Sequence, residues 1–296
     1  MDVVLLFNGL GNQMSQYAFY LQKKNISGST RFLFSKKSEK VHNGYELKHV
    51  FGIENKKGLS ASALYLLFRI AAYRKYPAIS GRLIRLLNFF GICVIYENDD
   101  YNFEPGYLQP TRGIRFFVGG WHSEKYFAKV KKTVLTSFEF KKEELDPKNL
   151  EVLKKINSSQ SVSVHIRRGD FLDSSNYEKF GSVCTLEYFM LAIENMKSRL
   201  QNPHFFFFTN DYDWVRQHFK DPNFSVVQIN SSINSWKDMR LISNCSNHIC
   251  SNGSFSWWSA WLDQKEEKIV IVPKHFVANK EFRDIYPEGW IRLTGY

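Results

Sequence analysis

Between residues 161 and 273 the chain repeats one pattern that restricts its fold more than any other feature. "SVSVHI" reads as a strand, "LEYFMLAIENMKSRL" as an amphipathic helix and "HFFFFT" as a second strand. "DWVRQHF", "FSVVQI", "KDMRLISNC", "HICS", "SFSWWSAWLDQ" and "KIVIV" continue the alternation until Pro273. A strand with one face in water alternates apolar and polar residues. These runs are continuously apolar, so both faces are covered, as in a parallel sheet between two helical layers. The expected fold class is α/β and doubly wound.

The first half opens the same way, with an apolar run at residues 3–7, a glycine turn and the helical stretch "QMSQYAFYLQKK". A length of 296 residues, at roughly 150 per domain, predicts two domains and hence a cleft. The polar, lysine-rich stretch 140–160 is the natural boundary, which gives domains of 1–150 and 151–296. Hydrophobic residues at 44% and charged residues at 23% are enough for a folded core and argue against disorder. The net charge of +11 favours anionic partners: nucleic acid, anionic lipid or a phosphorylated small molecule. Cys93, Cys184, Cys245 and Cys250 form no CxxC pair, which points to packed thiols in a reducing compartment rather than to zinc or disulfides. The apolar run in "MDVVLLFNGLGNQ" is too short for a secretion signal, so a cytoplasmic protein is expected. No window holds the ~18 uncharged apolar residues that span a bilayer. In residues 62–92, Arg69, Arg74, Lys75, Arg82 and Arg85 interleave with Leu, Ile, Tyr and Phe. That stretch reads either as core-packing helices broken near Pro77 or as a basic amphipathic element at a membrane surface.

In open α/β sheets ligands bind beyond the carboxyl ends of the strands, and three sequence features fall there. The first is His165, Arg167, Arg168, Gly169 and Asp170. Guanidinium forks bind phosphate oxygens bidentately, and Asp170 can orient one of them or bind a ligand hydroxyl; a structural Arg–Asp turn is the plain alternative. The second is Thr209, Asn210 and Asp211, released by a phenylalanine-rich strand. The Asp211-Tyr212-Asp213 run also has the Asp-x-Asp form that some sugar-nucleotide enzymes use to hold a metal. The third is Asn252-Gly253 followed by Ser254, Phe255 and Ser256 at a helix start, where free N–H groups favour an anion. Trp257, Trp258 and Trp261 fit helix packing better than sugar stacking, and Asp238 is equally a helix N-cap or a ligand residue. In the first half, Gly9 to Gln13 resembles a phosphate loop but lacks the third glycine of a dinucleotide fingerprint and the Lys-Ser/Thr of a P-loop.

Seven segments in order, "GLGNQMSQYAF" (9–19), "GGWHSEKYF" (119–127), "HIRRGDF" (165–171), "FFTND" (207–211), "DMRLISNC" (238–245), "SNGSFSWWSAWL" (251–262) and "IVPKHF" (271–276), resemble the bacterial α-1,2-fucosyltransferases of glycosyltransferase family 11. The resemblance implies a GT-B type fold, with two Rossmann-like domains facing a cleft. It implies a galactoside α-1,2-fucosyltransferase that inverts the anomeric carbon without a metal, with an O-antigen or similar surface polysaccharide as acceptor. No cofactor is implied, because GDP-fucose is a substrate. Residues 151–296 would hold the donor and residues 1–150 the acceptor side. Arg167, at the β-phosphate, and Asp170 would be catalytic. His165, Arg168, Asn210, Asp211, Asp238, Asn252, Ser254, Phe255 and Ser256 would surround GDP-fucose, and Gly11, Asn12, Gln13 and His122 would form an acceptor-side loop. The implied partners are GDP-fucose and a galactose-containing glycan, with no nucleic acid. The expected location is the cytoplasm, extended to peripheral contact with the inner face of an anionic bacterial membrane if residues 62–92 are the surface element rather than core-packing helices.

The chain departs from the family pattern at Asn8 (usually glycine), Ser15 (an aromatic), His122 (glutamine), Asn210 (aspartate) and the Ser-Asn after Cys245 (Lys-His). These positions bear on the acceptor more than on the reaction. Transfer needs a stabilised leaving pyrophosphate, which the arginines can supply. It also needs a base for the acceptor proton, for which Asp170, Asp173, Glu178 and His122 are the candidates. A metal-dependent nucleotide-sugar transferase of another fold, built on Asp211 and Asp213, and a basic nucleic-acid-binding protein are the rival readings.

Overall fold

Phe116 and Phe117 are adjacent in sequence, both fully buried, and face opposite ways. Phe116 meets Phe68 of the helix Leu59–Ala71, whereas Phe117 meets Phe19 of the helix Leu10–Ile26. Period-two side chains on a sheet covered on both faces give this result. The structure is a computed structural model and describes residues 1–55, 58–73, 77–110, 112–141 and 145–294. The chain divides into two compact units, Met1–Glu139 and Phe140–Tyr296.

The first unit carries a parallel sheet of β1 (Asp2–Leu6), β2 (Arg31–Phe34), β3 (Ile92–Tyr96) and β4 (Ile114–Val118), in the order β2-β1-β4-β3. Val3, Leu5, Leu33 and Phe116 form one face, packed against Ala61, Leu64, Tyr65, Leu67 and Phe68. On the other face Phe19 stacks on Trp121 at 4.1 Å. Lys23, on the same helix as Phe19, is fully buried; its Nζ pairs with Asp2 at 2.7 Å and donates to the carbonyls of Tyr107 and Gln109. Asn8 follows β1 in the left-handed region, φ 63°. Asparagine tolerates that conformation, so it can stand where glycine is usual.

The second unit has six parallel strands: β5 (Ser161–Ile166), β6 (His204–Thr209), β7 (Phe224–Val227), β8 (Asn247–Ile249), β9 (Val270–Pro273) and β10 (Ile291–Leu293). Their order is β10-β9-β8-β5-β6-β7. The chain winds outward from β5 to β7 and then outward on the other side from β8 to β10. This is the order of a Rossmann sheet, with its switch point between β5 and β8. The run of four phenylalanines serves both layers: Phe205 and Phe207 pack with Tyr188, Phe189 and Met196, while Phe206 and Phe208 pack with Ile156, Leu241 and Ile242.

The structure corrects several boundaries. The units part at 139/140 rather than 150/151, because Phe140 stacks on Trp236 and the helix Pro147–Asn157 belongs to the second core. Strand β7 ends at Val227, short of the expected "QI". Gly11, Asn12 and Gln13 are not a loop; they form the first turn of the helix Leu10–Ile26, capped by an extended Gly9. All four cysteines are free, and Trp257, Trp258 and Trp261 are core residues.

Candidate active site

Arg167 leaves the end of β5 at the switch point, and Asp170 grips its guanidinium bidentately, Nε to Oδ1 at 2.8 Å and Nη2 to Oδ2 at 2.9 Å. Both side chains stay accessible, 36% for the arginine and 44% for the aspartate. Two of the five guanidinium N–H groups are used, which leaves three in a plane fixed from behind. Arg168 is turned the other way. Its Nε pairs with Asp211 at 2.9 Å and its guanidinium lies 4.2 Å from the Trp214 ring centroid, so it braces β5 against the helix Tyr212–His218. Asp211 also caps that helix, accepting from the Trp214 N–H at 3.2 Å. Asn210 accepts from the Arg168 N–H at 2.9 Å. A Cβ on Gly169 would press on the Asn210 side-chain amide and push it off its bond to the Arg168 N–H.

A pocket of about 320 Å³ opens at these strand ends. It falls within the ~300–1,000 Å³ usual for small-molecule sites. Of the residues nominated from sequence, His165, Arg167, Thr209, Asn210, Asp238 and Phe255 line it. His165 stacks on Phe255, with centroids 5.2 Å apart, and its Nδ1 hydrogen-bonds with the hydroxyls of Ser251 and Ser256. Burial, assisted by the Arg167 charge, lowers its pKa to about 3, so the imidazole is neutral. Ser256 is therefore committed inward. Asn252 is buried and donates to the carbonyls of Phe180 and Phe276; it ties two segments together and does not face the pocket. Ser254, half-buried, opens the helix Ser254–Leu262 outside the pocket lining.

Asp238 is not an N-cap. The helix Trp236–Asn244 starts two residues earlier, and the Asp238 carboxylate accepts from Asn230 Nδ2 at 2.7 Å. Burial raises its pKa to about 7 against that bond. Asn230 in turn makes a reciprocal amide pair with the buried Asn149, at 2.8 and 3.0 Å, and Asn149 Nδ2 also donates to Asp146. Reading the sequence missed Asn230, Ser231, Ser232, Ser235 and Tyr212 in the lining. The polar cluster after the β7 run carried the same signal as the one after β6 and could have identified Asn230.

The residues nominated in the first unit behave differently. Gln13 is fully buried; its Nε2 donates to the carbonyls of Asn8 and Gly44, and its Oε1 accepts from the Glu46 N–H. His122 is buried beside Ser15, Nδ1 to Oγ 3.0 Å, and burial lowers its pKa to about 4. Gly11 is buried and Asn12 half-buried. Asp173 and Glu178 are exposed.

Comparison with known proteins fits this geometry. The pattern of Glycosyl transferase family 11 matches residues 2–294. The chain is 32% identical to an alpha-1,2-colitosyltransferase of Escherichia coli, over 98% of each chain. It is 26% identical to the O-antigen biosynthesis glycosyltransferase WbnK of Escherichia coli, over 97% of this chain and 99% of that one. Galactoside alpha-(1,2)-fucosyltransferase 1 of Ateles belzebuth matches at 28% over 43% of this chain and 35% of its own length. The solved fucosyltransferase NodZ of Bradyrhizobium shares the fold, with a TM-score of 0.51 at 14% identity over 88% of this chain and 92% of that one. The two parallel α/β units are of the GT-B type. With a family pattern running nearly end to end and a fixed guanidinium at a Rossmann switch point, the chain belongs to glycosyltransferase family 11.

Proposed function

We propose that this enzyme transfers L-fucose from GDP-β-L-fucose to the 2-hydroxyl of a galactoside in a surface glycan such as an O-antigen, with inversion, and that its second unit holds the donor. The carrying observation is the Arg167 fork, locked by Asp170 at the mouth of a pocket of nucleotide size. The bond from the sugar C1 to the β-phosphate oxygen breaks with its electron pair on GDP, and Arg167 stabilises that growing charge. The acceptor oxygen bonds C1 on the opposite face, which converts a β donor into an α linkage, and its proton passes to a weak base. A dissociative transition state tolerates such a base. Asp170, with both oxygens on Arg167, orients the fork. His165, Asn210 and Asp238 line the donor pocket, while Arg168, Asp211 and Ser256 hold its walls. Neither a metal nor a cofactor takes part on this reading.

The alpha-1,2-colitosyltransferase relative favours a second reading for the donor alone, namely GDP-colitose, whose sugar is the 3-deoxy counterpart of L-fucose. The test offers each GDP-sugar separately with a panel of galactosides and fixes the product linkage by NMR. A higher kcat/KM for GDP-fucose with α-1,2 product is expected. The reverse order exchanges the donor and keeps the reaction, and transfer from neither overturns both. GDP should raise the Tm and unrelated oligonucleotides should not.

A further inference from the structure

We propose that the outer faces of the helices Leu59–Ala71 and Pro77–Phe89 form a docking surface for an anionic lipid bilayer. The inner face of the first helix is core, with Ala61, Leu64, Tyr65 and Phe68 packed on the sheet. Its outer face should then be polar. Instead Leu59, Leu66 and Ile70 are exposed at helical spacing, with Leu59 at 93%. The second helix exposes Arg82, Arg85, Leu86 and Phe89 at the same spacing, and Phe90 follows, with Phe89 at 84%. Core packing, the first reading of residues 62–92, holds for the inner face of the first helix, and the surface-element reading is the one proposed for the outer faces. Arg74 and Lys75 lie outside the described residues.

Charge selects the occupant. Between Glu54 and Glu97 the sequence has seven Lys or Arg and no Asp or Glu, and three of them, Arg69, Arg82 and Arg85, are exposed on these two helices. A second copy docked through a two-fold axis would set this basic face against itself. A nucleic acid would neutralise the arginines but leave the leucine and phenylalanine side chains in water. An anionic bilayer satisfies both: Arg69, Arg82 and Arg85 reach headgroups while the apolar side chains enter the acyl boundary. Among the described residues no helix is long and apolar enough to cross a membrane, so the contact lies on the surface.

Flotation of the whole protein with phosphatidylcholine vesicles, with and without phosphatidylglycerol, tests this independently of activity. Binding is expected only to the anionic vesicles and should weaken with salt. Replacing both Arg82→Gln and Arg85→Gln should weaken it by roughly 25-fold, about fivefold for each cation near the surface. Replacing Leu66→Ser and Phe89→Ser should weaken it by about tenfold or more. A retained Tm and GDP-induced Tm rise establish that each variant is folded; should the apolar pair misfold, the arginine pair carries the test. The proposal is overturned by absence of binding to anionic vesicles, by binding that both folded variants retain, by a dimer that the apolar variants dissociate without any lipid binding, or by oligonucleotide binding in its place.

Discussion

The carboxyl edges of the two sheets use the same kinds of residue in opposite directions. In the first unit polar side chains after the strands turn inward and hold backbone. Gln13 ties Asn8, just after β1, to the stretch 44–46, and Glu97 Oε2 accepts from the N–H groups of Gly120 and Trp121 at 2.6 and 2.9 Å. In the second unit Asn252 and Ser256 also turn inward, but Arg167, Asp170 and Asn210 are accessible and Asp238 lines a pocket. A motif residue at a strand end is therefore not yet a ligand residue. What distinguishes the two cases is whether the polar atoms are already committed to the chain. Substitutions in the first set should read out as stability and those in the second as rate.

The largest effect is expected at Arg167. Lysine keeps the charge but loses the planar fork, so Arg167→Lys should lower kcat by roughly 10²–10³ with little change in Tm, and alanine should cost more. Steady-state kinetics beside a thermal melt make the check. Near-normal turnover in a folded Arg167→Lys protein would pass the phosphate role to another group and remove the contrast between the two edges.

At Gln13 in the first unit the expectation reverses. Gln13→Ala would strip partners from the part-buried Asn8 and Gly44 carbonyl bonds and the buried Glu46 N–H, at a cost on the order of 2 kcal/mol. The Tm should fall, while kcat measured well below the melt should stay within about twofold if Gln13 touches no ligand. A rate loss with an unchanged Tm would make Gln13 a ligand residue after all.

What could be read from the sequence follows the same division. The four-phenylalanine run and its neighbours revealed a doubly wound sheet because each residue's face is fixed by period two. Arg167 and Asp170 were legible because the pair is local, three residues apart. Asn149 and Asn230 are 81 residues apart, and only the packing of the helix Pro147–Asn157 on the second core joins them. The burial of Lys23 depends on Asp2 and on two carbonyls some 85 residues away, which local sequence does not show. Of the two readings of Asp238, N-cap or ligand residue, the cap fails because the helix already starts at Trp236, a core residue stacked on Phe140, while the carboxyl lines the pocket.

Glu97 and His122 in the first unit, and Asp238 and His165 in the second, are carboxyl and imidazole groups held away from water near strand ends, and the two kinds act on stability with opposite signs. Burial raises Glu97 in the first unit and Asp238 in the second to about 7. Each folded carboxyl therefore keeps its proton where the unfolded one has lost it, and stability falls as pH rises from about 4 to about 7. His122 and His165 are lowered to about 4 and about 3, so the unfolded chain binds their protons first and stability rises with pH up to about 6.5. Asp238→Asn removes only the falling contribution in the second unit. Its Tm relative to the parent should climb between about pH 4 and 7 and then level off, a difference of about 2 kcal/mol allowing for solvent at a partly accessible group. A constant offset across that range would show that Asp238 is ionised throughout.

The smallest expected effect is none: turnover should be the same in EDTA. A divalent ion on Asp211-Tyr212-Asp213 would need both carboxylates to converge at about 2.0–2.6 Å. Asp211 is engaged by Arg168 Nε on one oxygen and by the Trp214 N–H on the other, and Asp213 is fully exposed beside Arg216 at 3.6 Å. The residues do not fit a shared cation, and the positive charge at this edge already stands on Arg167. Asp213→Asn should then leave kcat unchanged, whereas Asp211→Asn should lower it by loosening Arg168 and the wall it braces. Activity lost in chelator and restored by manganese or magnesium would mean that a cation organises this edge, and that the accessible arginine is there to steer the substrate rather than to stabilise the leaving group.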